Sequence, residues 1–293
     1  MLDDGPQTTS STRRLGLAMG LTGSFMVAEA IGGYLAGSLA LLADAGHMLT
    51  DTAALALAFF ASRLARRPAD QHRSYGYERI QVLAALVNAL ALLALVTWLA
   101  FEAIQRLLVP QAVDASLMLW IALLGGGVNV GVAWLLHRGH EHDINLGAAY
   151  LHVLSDLGGS IAAALAAVLI LTTGWTRADP VLSLIIVALV ARVAVRLMRR
   201  SVHILLEGTP KGIEPQALAS ELAAELDEVE EVHHVHAWSL GSREILVTLH
   251  ARMAEGADHD AALGSIKRLL AERYRITHST VQIEGPRCAD RDN

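Results

Sequence analysis

Two short stretches of otherwise apolar sequence, LADAGHMLTD and LHVLSDLGGS, each place an aspartate four residues after a histidine: His47 with Asp51, and His152 with Asp156. On a helix, residues i and i+4 share a face, so each stretch presents an imidazole beside a carboxylate. If the two faces meet, two nitrogen and two oxygen donors converge, the number and softness that suit tetrahedral Zn²⁺. Two carboxylates also offset a divalent charge in low-dielectric surroundings, where an unpaired ion is most costly. Imidazole titrates near neutrality and binds metal only when deprotonated, so such a site binds Zn²⁺ and H⁺ in competition. A third charge, Asp44, lies one turn before His47 and has no partner legible in the sequence.

These groups must be positioned inside a membrane. The 293 residues are 53% hydrophobic and only 18% charged, with a mean hydropathy of +0.41, too apolar for a soluble domain of this size. Six stretches approach the roughly 20 residues needed to cross about 30 Å of hydrocarbon, near 15–36, 39–62, 80–107, 115–136, 145–172 and 180–200. Gly37-Ser38, the RRPADQHRSYGY loop, Pro110, the HRGHEHD loop and TRADP separate them. The two candidate pairs fall in the second and fifth spans. Small neighbours (Ala43, Ala45, Gly46; Gly158, Gly159, Ser160) let those spans approach closely. Arg13, Arg14, the arginines from Arg63 to Arg79, and Arg196, Arg199 and Arg200 collect on one side, so both termini are expected in the cytoplasm. The first twelve residues are polar and acidic, which does not read as a cleavable signal peptide.

Past the LLEGTPKG junction the pattern is that of a small soluble domain of order αββαβ: an amphipathic helix over IEPQALASELAAELDEV, two strands around Gly241-Ser242, a helix over DHDAALGSIKRLLAERY and a last strand in HSTVQIEG. The expected organisation is a tail over 1–14, a six-helix membrane domain over 15–207, a cytoplasmic α+β domain over 208–286 and a tail over 287–293. Residues 208–293 carry the whole net charge of −6, which disfavours nucleic acid and favours cations. About 80 residues make a marginal core, so pairing with a second copy is expected. Strand alternation places His234 and His236 on one face and His233 on the other, with His250 on the neighbouring strand. The single cysteine, Cys288, excludes a disulfide framework and a Cys₄ zinc module.

SLALLADAGHMLTDTAALALA, LHVLSDLGGS, YGYERIQVLAALVNA and LLEGTP together resemble the cation diffusion facilitator family over residues 13–286, and the His-plus-Asp form of the second span resembles its zinc-transporting branch. The resemblance implies a homodimeric exporter of the bacterial inner membrane, with six spans per protomer and a metallochaperone-like, ferredoxin-like cytoplasmic domain. It would exchange zinc for protons by alternating access. His47, Asp51, His152 and Asp156 would form the transport site. His236, His250 and Glu284 would hold a structural or regulatory Zn²⁺ in the cytoplasmic domain, with a fourth ligand from His234, His259, water or the other protomer. The resemblance also implies a charge pair, Arg79 with Glu207, linking the two halves. Some members carry metal in the loop between spans 2 and 3; here Asp70 is present and His72 is out of step, while Arg73 and Tyr77 replace the expected histidines. A basic loop beside lipid headgroups is the preferred reading there. His137, His140 and His142 form a short cluster open to either weak metal capture or a plain polar loop.

Two other function classes use the same residues. An intramembrane zinc hydrolase would keep an open metal position and a general base, but HExxH is absent. A membrane-tethered metal sensor would need only the C-terminal domain, leaving the buried pairs unexplained. No GxxxxGK[ST] nucleotide loop is present, so an ion gradient is the expected energy source.

Overall fold

A computed structural model describes residues 6–137, 144–241, 244–285 and 288; of residues 6–15, 144–146 and 148 it describes the backbone only. Six long helices come first: α1 (Pro6–Ala36), α2 (Leu39–Ala65), α3 (Arg79–Leu108), α4 (Ala115–His137), α5 (Ile144–Thr173) and α6 (Ala178–Leu205). Helix α7 (Pro215–Glu225), strands β1 (Val229–Ser239) and β2 (Ile245–Met253), helix α8 (His259–Tyr274) and strand β3 (His278–Glu284) follow. The chain is thus an α-helical polytopic membrane protein ending in a small α+β domain of the expected αββαβ order.

Two compact units divide this order. One holds Met1–Ala56 and Val87–Arg196, the other Leu57–Leu86 and Leu197–Asn293. The last turns of α2 and α6 and the first turns of α3 therefore belong with the C-terminal domain. The expected boundary at residue 208 follows the change in hydropathy, whereas this division follows packing and falls inside the helices.

In the first unit, α2 to α6 are each long and apolar enough to cross a membrane. Among the described residues α1 falls short by composition, since Gly20, Thr22, Gly23, Ser24, Glu29 and Gly32 dilute its apolar residues. It completes the six-helix bundle by packing on α4: Phe25 and Ala36 join Met118, Ile121 and Ala122 in one buried cluster with Ala163 and Ala167 of α5. A second cluster joins Leu39 and Ala43 of α2 to Leu92, Val96 and Leu99 of α3 and Val187 and Val190 of α6. Outward-facing Phe59, Phe60, Trp98, Trp120, Trp134 and Leu189 are more than half exposed. An apolar surface of that extent suits contact with lipid, not water.

Helix starts and stops follow local chemistry. Gly37 ends α1 with φ 68°, a left-handed backbone that glycine adopts without strain. Helix α2 then begins against a distant group: the fully buried Asp179, at the start of α6, accepts hydrogen bonds from the Ser38 hydroxyl (2.5 Å) and from the backbone N–H of Leu39 (2.8 Å) and Ala40 (3.1 Å). A carboxylate suits the positive end of a helix, and Pro180 is tolerated in the first turn of α6. Asp179→Ala is expected to cost about 1–3 kcal/mol, the penalty for leaving buried donors unpaired. The check is the thermal unfolding midpoint of purified protein; an unchanged midpoint would show that these bonds do not hold α2.

The C-terminal sheet has order β1-β2-β3, with β1 and β2 antiparallel and β2 and β3 parallel across the α8 crossover. Leu218 and Leu222 of α7 and Ile266 and Leu270 of α8 cover one face, burying Val232, Val247, Leu249 and Ala251. Asp258 caps α8 by accepting from the N–H groups of Asp260 and Ala261. The pairing of β1 with β2 is interrupted between His233 and His236, a bulge in which His234 takes φ 47°.

Candidate metal centres

Within the first unit α2 and α5 bring their two pairs together. Asp51 Oδ2 lies 3.5 Å from His47 Nε2 and 3.6 Å from His152 Nε2, and His152 Nε2 lies 3.6 Å from Asp156 Oδ2. The imidazoles of His47 and His152 meet edge to face, 6.3 Å between centres. Ligands about 2.0–2.1 Å from a tetrahedral zinc are about 3.3–3.4 Å from one another, so these three separations are each close to one edge of such a tetrahedron, while the four ligand atoms as a set are more widely spread. They are also too long for good hydrogen bonds.

Exposure is graded across the four: the side chain of His152 is 46% exposed, whereas that of Asp156 is 3% exposed. One side of the group is open and the other is sealed. Beyond His47, a crevice lined by Ala43, Leu95, Leu99, Ile186 and Val190 is too narrow for a water molecule. Asp156 Oδ2 and His47 Nδ1 are buried without a protein hydrogen-bond partner, which is costly for polar groups unless an ion or water takes up the interaction.

In the second unit, His233 and His234 of β1 and His250 of β2 gather with Cys288. Their ligand atoms all lie within 4.8 Å of one another, and among the described residues this is the one group of three or more that compact. Cys288 Sγ is 3.7 Å from His250 Nδ1 and 4.0 Å from His234 Nδ1. Glu284, 4% exposed in its side chain, reaches His233 Nε2 at 3.1 Å and His250 Nδ1 at 3.0 Å. Nitrogen and thiolate donors of this kind suit Zn²⁺, and a carboxylate touching two imidazoles fixes their orientation.

Of the cytoplasmic residues expected from sequence, His250 and His234 are in this group and Glu284 touches it, while His236 and His259 are exposed and outside it. The bulge explains the difference: it breaks the alternation after His233, so His233 and His234 both turn toward His250 and His236 turns away. Cys288 was missed because it follows the last strand, where no periodicity applies.

Arg79 and Glu207 do meet, at 2.9 Å, with side chains 36% and 60% exposed. Such a pair contributes roughly 0–1 kcal/mol, so its effect is on local geometry. In the loop between α2 and α3, Asp70 accepts from the N–H groups of His72 (2.8 Å) and Arg73 (2.9 Å) and from the Tyr77 hydroxyl (2.6 Å). The Tyr77 hydroxyl, followed by the His72 N–H, holds the Asp70 carboxyl below its ordinary value. Arg73 stacks over the Tyr77 ring. Asp70 thus serves as the acceptor that organises the loop, and His72 contributes its backbone to it. His137 packs on Tyr150; His140 and His142 lie outside the described residues.

The profile of the cation efflux transmembrane domain matches residues 15–206, and that of the cation efflux protein cytoplasmic domain matches residues 210–286. The zinc transporter ZitB of Yersinia pestis is 48% identical over 97% of this chain and 91% of its own length. ZitB of Escherichia coli strain K12 is 46% identical over 95% and 91%. A cadmium, cobalt and zinc/H(+)-K(+) antiporter of Bacillus velezensis is 39% identical over 89% and 84%. Membrane bundle, paired ligands, appended α+β domain and these matches lead to one conclusion: the chain belongs to the cation efflux, or cation diffusion facilitator, family.

Proposed function

We propose that the protein is a secondary transporter, not an enzyme, which exports Zn²⁺ from the cytoplasm in exchange for protons. The observation that carries this reading is the convergence of His47, Asp51, His152 and Asp156 inside a membrane bundle. It is supported by relatives that bear the names zinc transporter and zinc/H(+)-K(+) antiporter. Four ligands leave no open position of the kind hydrolytic zinc uses, which disfavours an intramembrane hydrolase. A tethered sensor would leave the intramembrane ligands without a use.

In this account metal loads from the cytoplasm as the imidazoles give up protons, and reprotonation of His47 and His152 on the far side expels it. The match to a cytoplasmic domain of dimeric transporters and the marginal size of that domain support a homodimer. Arginine placement and bacterial relatives support an inner-membrane protein with both termini in the cytoplasm. The His233, His234, His250 and Cys288 group would hold a resident Zn²⁺ in each cytoplasmic domain, with Glu284 as ligand or as orienting carboxylate.

The test is proton movement coupled to metal. In liposomes containing the protein, adding Zn²⁺ on the cytoplasmic face should drive protons out of the lumen, read by a trapped pH dye. Zinc entry with no lumenal pH change would rule out exchange. Selectivity gives a second check. His47→Asp replaces a single imidazole nitrogen by a carboxylate that can bind through two oxygens and so admit a larger ion of higher coordination number, so the ratio of Cd²⁺ to Zn²⁺ uptake is expected to rise roughly tenfold, equivalent to about 1.4 kcal/mol of discrimination. An unchanged ratio would remove His47 from the selecting ligands.

A further inference from the structure

The four-ligand site leaves one pair of acidic groups in the membrane unit unused. Glu29 of α1 is fully buried, and no protein group donates a hydrogen bond to either of its carboxyl oxygens. Its neighbour within hydrogen-bonding reach is the carboxyl of Asp44, itself only 7% exposed. Outside this pair and the four ligands, the described acidic side chains of the unit have donors: Glu102 has Arg106, Asp114 has the Leu117 N–H, and Asp179 has Ser38, Leu39 and Ala40. Glu29 instead faces a group that, when ionised, can only accept.

Two ionised carboxyls at this separation repel, and each would be a buried charge without a counter-charge, a cost of several kcal/mol. One proton between them removes a charge and supplies the missing donor, as an O–H···O bond from one carboxyl to the other. Space has been left for this arrangement. A Cβ at Gly159 of α5 would lie 3.0 Å from Asp44 Oδ1, so glycine there lets the carboxyl lie against the α5 backbone. Asp44 also precedes Asp51 by seven residues, two turns along the same face of α2 and about 10 Å toward the Gly37 turn. The charged or titratable groups facing it are Glu29 of α1 and, on α5, Asp156 and His152.

We propose that Glu29 and Asp44 form a dedicated proton site, distinct from the metal ligands, which holds one shared proton while the four-ligand site is without metal and releases it when Zn²⁺ binds there. This inference rests on the zinc-for-proton reading. Its step balances: the O–H bond of one carboxyl breaks, the pair passes from a charge of −1 to −2, and the proton leaves toward solvent as the dication arrives at the neighbouring ligands, His47 one turn along α2 and Asp156 and His152 on α5. Electrostatic attraction between the doubly ionised pair and the metal makes metal binding and proton binding oppose each other, without requiring that one atom carry both ions.

The test is infrared difference spectroscopy, zinc-loaded minus zinc-free, on full-length protein, paired with proton counting in a weakly buffered zinc titration. The wild type should lose the carbonyl stretch of a protonated carboxylic acid on adding zinc. Glu29→Gln should lack that signal and release one fewer proton per zinc while still binding zinc at the four ligands. Glu29→Asp, which keeps a carboxyl, should retain the signal at a shifted frequency and thus controls for misfolding. A carboxylic acid signal that persists unchanged in both Glu29→Gln and Asp44→Asn would overturn the proposal. The absence of any proton release in the wild type would instead overturn the exchange reading on which it rests.

Discussion

Asp51→Ala should weaken zinc binding to the membrane unit by at least ~100-fold. Asp51 stands 3.5 and 3.6 Å from the two imidazoles and is the group that joins the α2 pair to the α5 pair. Loss of an outer-shell partner already costs about 10–100-fold in metal affinity, so loss of a direct, charged ligand must cost at least the upper end of that range. Without Asp51 the site keeps one carboxylate against a divalent cation in a low-dielectric setting, and the uncompensated charge adds to the loss. Asp51→Asn is the informative companion, since it keeps the shape and removes the charge. A zinc titration of the purified variants provides the measurement, with His250→Ala in the background to silence the cytoplasmic group. Affinity within threefold of wild type for both variants would mean that α2 does not ligate the ion.

The second large effect concerns the cytoplasmic group. Substituting Co²⁺ for Zn²⁺ in the full chain should give a thiolate-to-cobalt charge-transfer absorption from Cys288. Cys288→Ser should abolish it, and Asp51→Ala, which touches only the membrane site, should leave it intact. His250→Ala should remove one bound metal per protomer, because His250 touches both the Cys288 sulfur, at 3.7 Å, and Glu284, at 3.0 Å. Cobalt bound with no charge-transfer band in the wild type would exclude the thiolate. A stoichiometry unchanged in His250→Ala would exclude the whole group.

The two sites differ in how far they could be read from sequence, and the reason is periodicity. On α2 and α5 an uninterrupted 3.6-residue repeat makes the i, i+4 spacing a statement about geometry, so His47, Asp51, His152 and Asp156 could be grouped before any fold was known. On β1 the repeat of two fails at the bulge after His233, and one irregular residue exchanges His236 for His233 in the cluster. Cys288 follows the last strand and reaches His234 and His250 across gaps of 54 and 38 residues, contacts that no local pattern encodes. The same limit applies to Asp179, whose role at the start of α2 spans 140 residues of sequence. It applies equally to Asp44, which lacked a visible partner because Glu29 lies on another helix. The six-helix order and the αββαβ tail were legible because length, hydropathy and turn residues set them locally. The division of α2, α3 and α6 between two compact units was not, since it depends on which side chains pack together after the helices have formed.

The account's central claim is tested most directly by zinc flux in reconstituted vesicles under an imposed pH gradient. The wild type should accumulate zinc when the lumen is acid and stop when the gradient is collapsed, while Asp51→Ala and Asp156→Ala should show no gradient-dependent uptake although they insert normally. Gradient-driven uptake at the wild-type rate in both variants would contradict the assignment of the transport site to α2 and α5.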